Sequence, residues 1–182
     1  MEQVGYDTYC KLLDDVIKNM QGIEVKEEQD VQIDLNISSY IPDEFIDNSS
    51  QKIEIYQNIA LCRNEQDIQN VVDEIIDRYG EIPKELENLL EIARIKELAK
   101  KANIIKIVQR RNAILFYVIK EAVDVNKIDG LVKKYQMRIR LSDGLMPYIT
   151  LRIKEDISDK EIVKDVKEFL KYISNEEVEE CK

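Results

Sequence analysis

The sequence predicts an α+β fold, a helical bundle packed with a small, mostly antiparallel sheet. Two observations carry that expectation. From Gln51 to about Ala102 apolar residues recur every three to four positions, and beyond Ile104 the apolar period falls to two. Of the 182 residues, 44% are hydrophobic, which is enough to bury a core. No internal repeat points to a solenoid.

Tyr6, Tyr9, Cys10, Leu13, Val16, Ile17 and Met20 follow helical spacing, and Gly22 closes that amphipathic helix. A charged connector, Glu24 to Asp30, follows. Val31, Ile33, Leu35 and Ile37 alternate with Gln32, Asp34 and Asn36, the pattern of a half-buried strand. Ser38 to Ser50 reads as an ordered loop anchored by Tyr40, Ile41, Phe45 and Ile46 around Pro42. Ile53, Tyr56, Ile59 and Ala60 mark the next helix. Asn64 caps another, whose stripe is Ile68, Val71, Val72, Ile75, Ile76 and Tyr79. Gly80 fits its C-terminus, and Pro83 fits the first turn of a third helix. In that helix Leu86, Leu89, Leu90, Ile92, Ala93, Ile95, Leu98 and Ala99 cover more than one stripe, as in a centrally packed helix.

Ile104 to Val108 and Ala113 to Ile119 read as strands across a polar turn, Gln109 to Asn112. Met137 to Leu141 and Met146 to Ile153 form a second hairpin across Ser142, Asp143 and Gly144, and Ile128, Leu131, Val132 and Tyr135 mark a short helix between the hairpins. Ser158 and Glu161 make a capping box ahead of Ile162, Val163, Val166, Phe169, Leu170 and Ile173, so a last helix is expected before an acidic, frayed end from Asn175.

Several chemistries are excluded by composition. No histidine occurs, which removes the commonest general base and metal ligand, and with them catalytic triads and mixed Cys/His zinc sites. Cys10, Cys62 and Cys181 lie far apart without a C-x-x-C, so packing is their expected role. Phosphate-cradling glycine motifs and a nucleophile elbow are missing. Adjacent carboxylates such as Asp14 with Asp15 are ordinary on solvated helix faces when 37 residues are acidic. No catalytic, metal or cofactor-binding residue is expected in the chain. Without an apolar run of about 18 to 20 residues or a signal-like N-terminus, the expected location is the cytoplasm, with no membrane partner.

The net charge of −10 is unevenly spread. Residues 1–50 carry 3 basic and 12 acidic groups, whereas 101–154 carry 12 basic and 4 acidic. An acidic protein is repelled by nucleic-acid phosphates unless a basic patch overcomes the overall field. In the basic segment Arg110 and Arg111 fall in a turn, Lys133 and Lys134 at a helix end, and Arg138, Arg140, Arg152 and Lys154 on strands, with Phe116, Tyr117, Tyr135 and Tyr148 interleaved. These residues offer a nucleic-acid-binding module as an alternative function. The plainer reading is outward polar positions on strands, and it is favoured because the aromatics mostly coincide with core positions.

On the second bundle helix Asp67, Asn70, Glu74, Asp77 and Arg78 line the side opposite the apolar stripe. Glu74 and Asp77, three apart, are neighbours on one face, and Arg78 sits four residues after Glu74. The plain reading is a solvated face with a local Glu74–Arg78 pair. The functional one is a docking surface for an arginine-rich partner.

GYDTYCKLLDDVI (Gly5 to Ile17), DVQIDLNISSYIPDEFI (Asp30 to Ile46), QKIEIYQNIA (Gln51 to Ala60) and DEIIDRYGEIPKELENLLEIARIKELAKKANI (Asp73 to Ile104) resemble the C-terminal domain of the bacterial transcription-repair coupling factors, the Mfd family. The likeness is specific over about the first 60% of the chain and continues only as a matching order of elements. It implies that residues 1–22 are the tail of a preceding translocase module and 23–182 a single regulatory α+β domain. The parent it implies is an ATP-dependent double-stranded DNA translocase that displaces stalled RNA polymerase and recruits nucleotide-excision repair through UvrA. ATP and magnesium would belong to that parent's motor, whose motifs this chain lacks. Through this resemblance the domain packs on an N-terminal UvrB-like module of the same polypeptide and masks its UvrA-binding surface. The family's acidic motif falls on Glu74 and Asp77, with Arg78 beside them, as the interdomain contacts.

Overall fold

The computed structural model describes residues 30–119 and 125–174. The opening helix over Tyr6 to Met20, Cys10, Cys181 and the acidic end from Asn175 lie outside the described residues. The chain forms two compact units. Among the described residues, one comprises 37–97 and the other 30–36 with 98–174.

The first unit holds α1 (Ser49–Leu61), α2 (Glu65–Tyr79) and most of α3 (Lys84–Lys101). Asn48 starts α1 by accepting from the Ser50 and Gln51 backbone N–H groups, and Asn64 starts α2 by accepting from that of Asp67 at 2.9 Å. Gly80 ends α2 at φ 90°, a left-handed value that suits glycine, and its N–H donates to the Ile76 carbonyl. Ile55, Tyr56, Ile59, Ile68, Ile75, Leu86, Leu89, Leu90 and Ala93 form one core with Ile41 and Ile46 of the preceding loop. The Ile41 N–H donates to the Tyr56 hydroxyl at 3.0 Å, and the buried Asn88 amide donates to the Ser38 carbonyl at 2.9 Å, so the loop is tied to α1 and α3.

Two stripe expectations and one loop anchor fail here. Ile53 is 39% exposed and Ile55 takes its place inside, because Ile55, Tyr56, Ile59 and Cys62 share a face centred roughly 130° round the helix from Ile53. Ile76 is 50% exposed, lying about 80° from Ile68 at the rim of the apolar stripe. Tyr40 is exposed and holds the loop by its backbone, donating to the Glu85 carbonyl.

The second unit is a five-stranded sheet with α4 (Val125–Tyr135) and α5 (Asp159–Ser174). Its strands are β1 (Gln32–Asp34), β2 (Ile104–Arg110), β3 (Ala113–Val118), β4 (Ile139–Ser142) and β5 (Tyr148–Arg152), in the order β1-β2-β3-β5-β4. Only the β1–β2 pair is parallel, so the expected mostly antiparallel sheet is found. The first hairpin turn is Arg111–Asn112 rather than Gln109 to Asn112, since Gln109 and Arg110 stay in register with Ile114 and Ala113. Strand β4 starts at Ile139 rather than Met137, because Gln136–Arg138 winds into a 3₁₀ turn.

One sheet face is buried. Ile107, Phe116 and Ile149 form one row across it, and Ile114, Leu151 and Ile139 form the next. Helix α5 covers that face, its Phe169 ring stacking on Phe116 with centroids 4.0 Å apart, and Tyr135 of α4 meets Phe169 at 5.9 Å. The Ser158–Glu161 capping box starts α5: the Ser158 N–H donates to the Glu161 carboxylate at 3.1 Å, and the Glu161 N–H donates to Ser158 Oγ.

Candidate docking face

The solvent side of α2 follows from its period. Burying Ile68 and Ile75 leaves Asp73, Glu74, Asp77 and Arg78 exposed. Arg78 Nη1 donates to Glu74 Oε1 at 2.7 Å and stands 3.5 Å from Glu54 Oε1 of α1. Its guanidinium carbon also lies 5.1 Å from the centre of the Tyr79 ring. The hydrogen bond to Glu74 holds the guanidinium above its ordinary pKa, with the Tyr79 and Glu54 charges adding to the effect. Asp77 has no ion pair among the described residues. Two carboxylates from two helices thus share one guanidinium, and with Asp77 beside them the face keeps an excess of negative charge.

The Glu74–Arg78 pair expected from spacing is present. Glu54 was not anticipated, because nothing in a single helix pattern says which residue of a neighbouring helix will face it. A second ion cluster supports the same helix: Arg94 of α3 reaches Glu65 at 2.8 Å and Glu91 at 2.9 Å, bracing the start of α2. Asp67 accepts from the Arg63 N–H at 2.9 Å, so it serves the helix start rather than the docking face.

The other candidate residues fall on separate elements. Arg110 ends β2 and Arg111 occupies the hairpin turn at φ 43°. Lys133 and Lys134 lie in the last turn of α4. Lys133 pairs with Asp129 at 2.6 Å, which raises its pKa, while the Lys134 ammonium stands 5.5 Å from the Tyr135 ring centre and 5.0 Å from that of Tyr172. Local contacts therefore engage both lysines. Of the interleaved aromatics, Phe116 and Tyr135 are buried as expected, but Tyr117 and Tyr148 are only half-buried, since strand parity turns them to the opposite sheet face.

Cys62 is buried, with its thiol donating to the Asn58 carbonyl at 3.2 Å. Among the described residues no cluster of three metal-ligating side chains occurs, and no helix is long and apolar enough to cross a membrane.

The model of the TRCF domain family matches residues 35–128. The chain is 30% identical over 165 residues to a transcription-repair-coupling factor of Bacillus subtilis, covering 88% of this chain and 14% of that protein. It is 30% identical over 155 residues to one of Borreliella burgdorferi, covering 85% of this chain and 14% of that protein. A Staphylococcus aureus relative of the same name is 33% identical over 134 residues, covering 72% of this chain and 11% of that protein. The chain thus spans about one-seventh or less of the length of these relatives. A crystal structure of the C-terminal domain of a transcription-repair coupling factor superimposes with a TM-score of 0.72 at 22% identity, covering 80% of this chain and 92% of that one, which supports the α+β fold. With more than half of its length matched by the family model, the chain belongs to the TRCF domain family.

Proposed function

We propose that this chain is a non-catalytic regulatory domain whose acidic α2 face docks on the N-terminal UvrB-like module of its own polypeptide and masks a UvrA-binding surface. The parent would be the ATP-dependent DNA translocase that displaces stalled RNA polymerase, with ATP and magnesium confined to its motor. One observation carries the reading: Glu54 and Glu74 already share Arg78, and Asp77 beside them has no cation among the described residues. A basic partner surface supplies what that face lacks. Removing one partner of a charge pair desolvated at such an interface costs about 2–5 kcal/mol, because the other charge is left unpaired, and far less at its rim. A mask of this kind can be released by competition, because its coupling to UvrA need be only about 1–3 kcal/mol.

Carboxylate footprinting tests the docking. Carbodiimide-driven labelling should modify Glu54, Glu74 and Asp77 in the 182-residue chain and be suppressed at these residues in the full-length polypeptide. Glu155 and Asp156, exposed after β5, should label equally in both. Equal labelling of the α2 carboxylates in the two proteins would rule out this face as the contact.

A further inference from the structure

We infer that the outer face of the sheet, opposite α5, binds single-stranded nucleic acid. Strand register places Lys106, Tyr117, Tyr148 and Ser142 in one row across β2, β3, β5 and β4. The next row is Val108, Leu115, Thr150 and Arg140, and the third is Arg110, Ala113 and Arg152. Parity separates these residues from Ile107, Phe116 and Ile149 on the side of α5, and of the residues in the three rows Val108 alone is buried. Over β3, β5 and β4 the outer face is half-exposed to exposed, whereas its reverse side is buried except for Leu141 on the edge strand.

The chemistry of this face is specific in two respects. Tyr117 and Tyr148 set their rings side by side, with centroids 5.3 Å apart and planes tilted by 43°, an arrangement that offers apolar ring surface for unstacked bases. Arg140 lies in the row next to them and Arg110 and Arg152 in the row beyond, all exposed, and none is paired with a carboxylate among the described residues. Of the neighbouring acids, Asp34 sits across at β1, opposite Val108, and Asp143 follows Ser142 in the turn between β4 and β5. Cations running along the strands from an aromatic pair match a chain whose phosphates and bases alternate. A duplex hides its bases from such a platform, so a single strand is the occupant the face fits.

Fluorescence anisotropy of the 182-residue chain with labelled dT15, rU15 and a 15-base-pair duplex tests this. Single strands should bind more tightly than the duplex, and preference between dT15 and rU15 identifies which single strand is the natural one. The log–log salt slope should be about −2, from some three phosphate contacts. Arg140→Glu with Arg152→Glu should weaken binding at least about tenfold and flatten that slope. Tyr148→Leu should weaken it about tenfold while leaving the slope unchanged. Lys133→Glu, on α4, should leave affinity within about twofold, and circular dichroism establishes that each variant is folded. No binding at 50 mM salt, tighter binding of the duplex, or an unaffected Tyr148→Leu protein would each overturn the inference.

Discussion

At Cys62 the surroundings set the chemistry. Burial, and then the Asp67 carboxylate, push the thiol from its ordinary 9.0 up to about 11. The folded pKa is the higher one. Its contribution to stability is therefore complete below pH 9.0 and lost as the pH rises through about 11. At pH 8 the thiol stays protonated in the native protein, and nucleophilic attack needs the thiolate. Peptide-level mass spectrometry should find Cys62 unmodified by iodoacetamide at pH 8 until denaturant is added. Rapid labelling under native conditions would contradict this account. The packing role of Cys62 was readable from its place in a helical stripe, but the shift comes first from the depth of its burial and then from Asp67 across a helix boundary, both of which the pattern leaves open.

Among the elements, α4 shows what period alone conveys and what it omits. Leu131 and Tyr135 are buried as their spacing predicts, yet Val132, assigned to the same stripe, is 42% exposed. Gly130 has its own reason for being there. A Cβ built on it would collide with the Tyr172 hydroxyl of α5, so the end of that half-buried side chain occupies the space a Cβ would need. Gly130→Ala should destabilise the second unit by about 1–3 kcal/mol in urea titration, despite alanine's better helix propensity. Tyr172→Phe should restore part of the loss by removing the nearest atom. A neutral or stabilising Gly130→Ala would show that Tyr172 moves aside freely. The capping signals of Asn64, Gly80 and Ser158 were all legible because each acts within one turn. The early exposure of Ile53 and Ile76 was not, since both lie at stripe edges where the neighbouring helix decides burial.

For the whole molecule, the balance between readable and unreadable features falls along the same line. The order of helices and strands, the mostly antiparallel sheet and the Glu74–Arg78 pair all follow from local spacing. Glu54 beside Arg78, and the separation of Tyr117 and Tyr148 from Phe116 onto opposite faces in register, need helix and strand partners that no local pattern names. Interleaved aromatics look alike in a linear string, and only pairing sorts core rings from surface rings. In the proposed docking, the excess of carboxylates over cations on α2 is one half of an interface whose complementary charge would come from elsewhere in the polypeptide. The most direct test is the UvrA affinity of the full-length protein carrying Glu74→Lys with Asp77→Lys. If this face holds the mask, affinity should rise about 5- to 150-fold over wild type, the range of a coupling of about 1–3 kcal/mol, while the melting temperature of the 182-residue double variant stays within a few degrees. An unchanged UvrA affinity in a folded double variant would contradict the account.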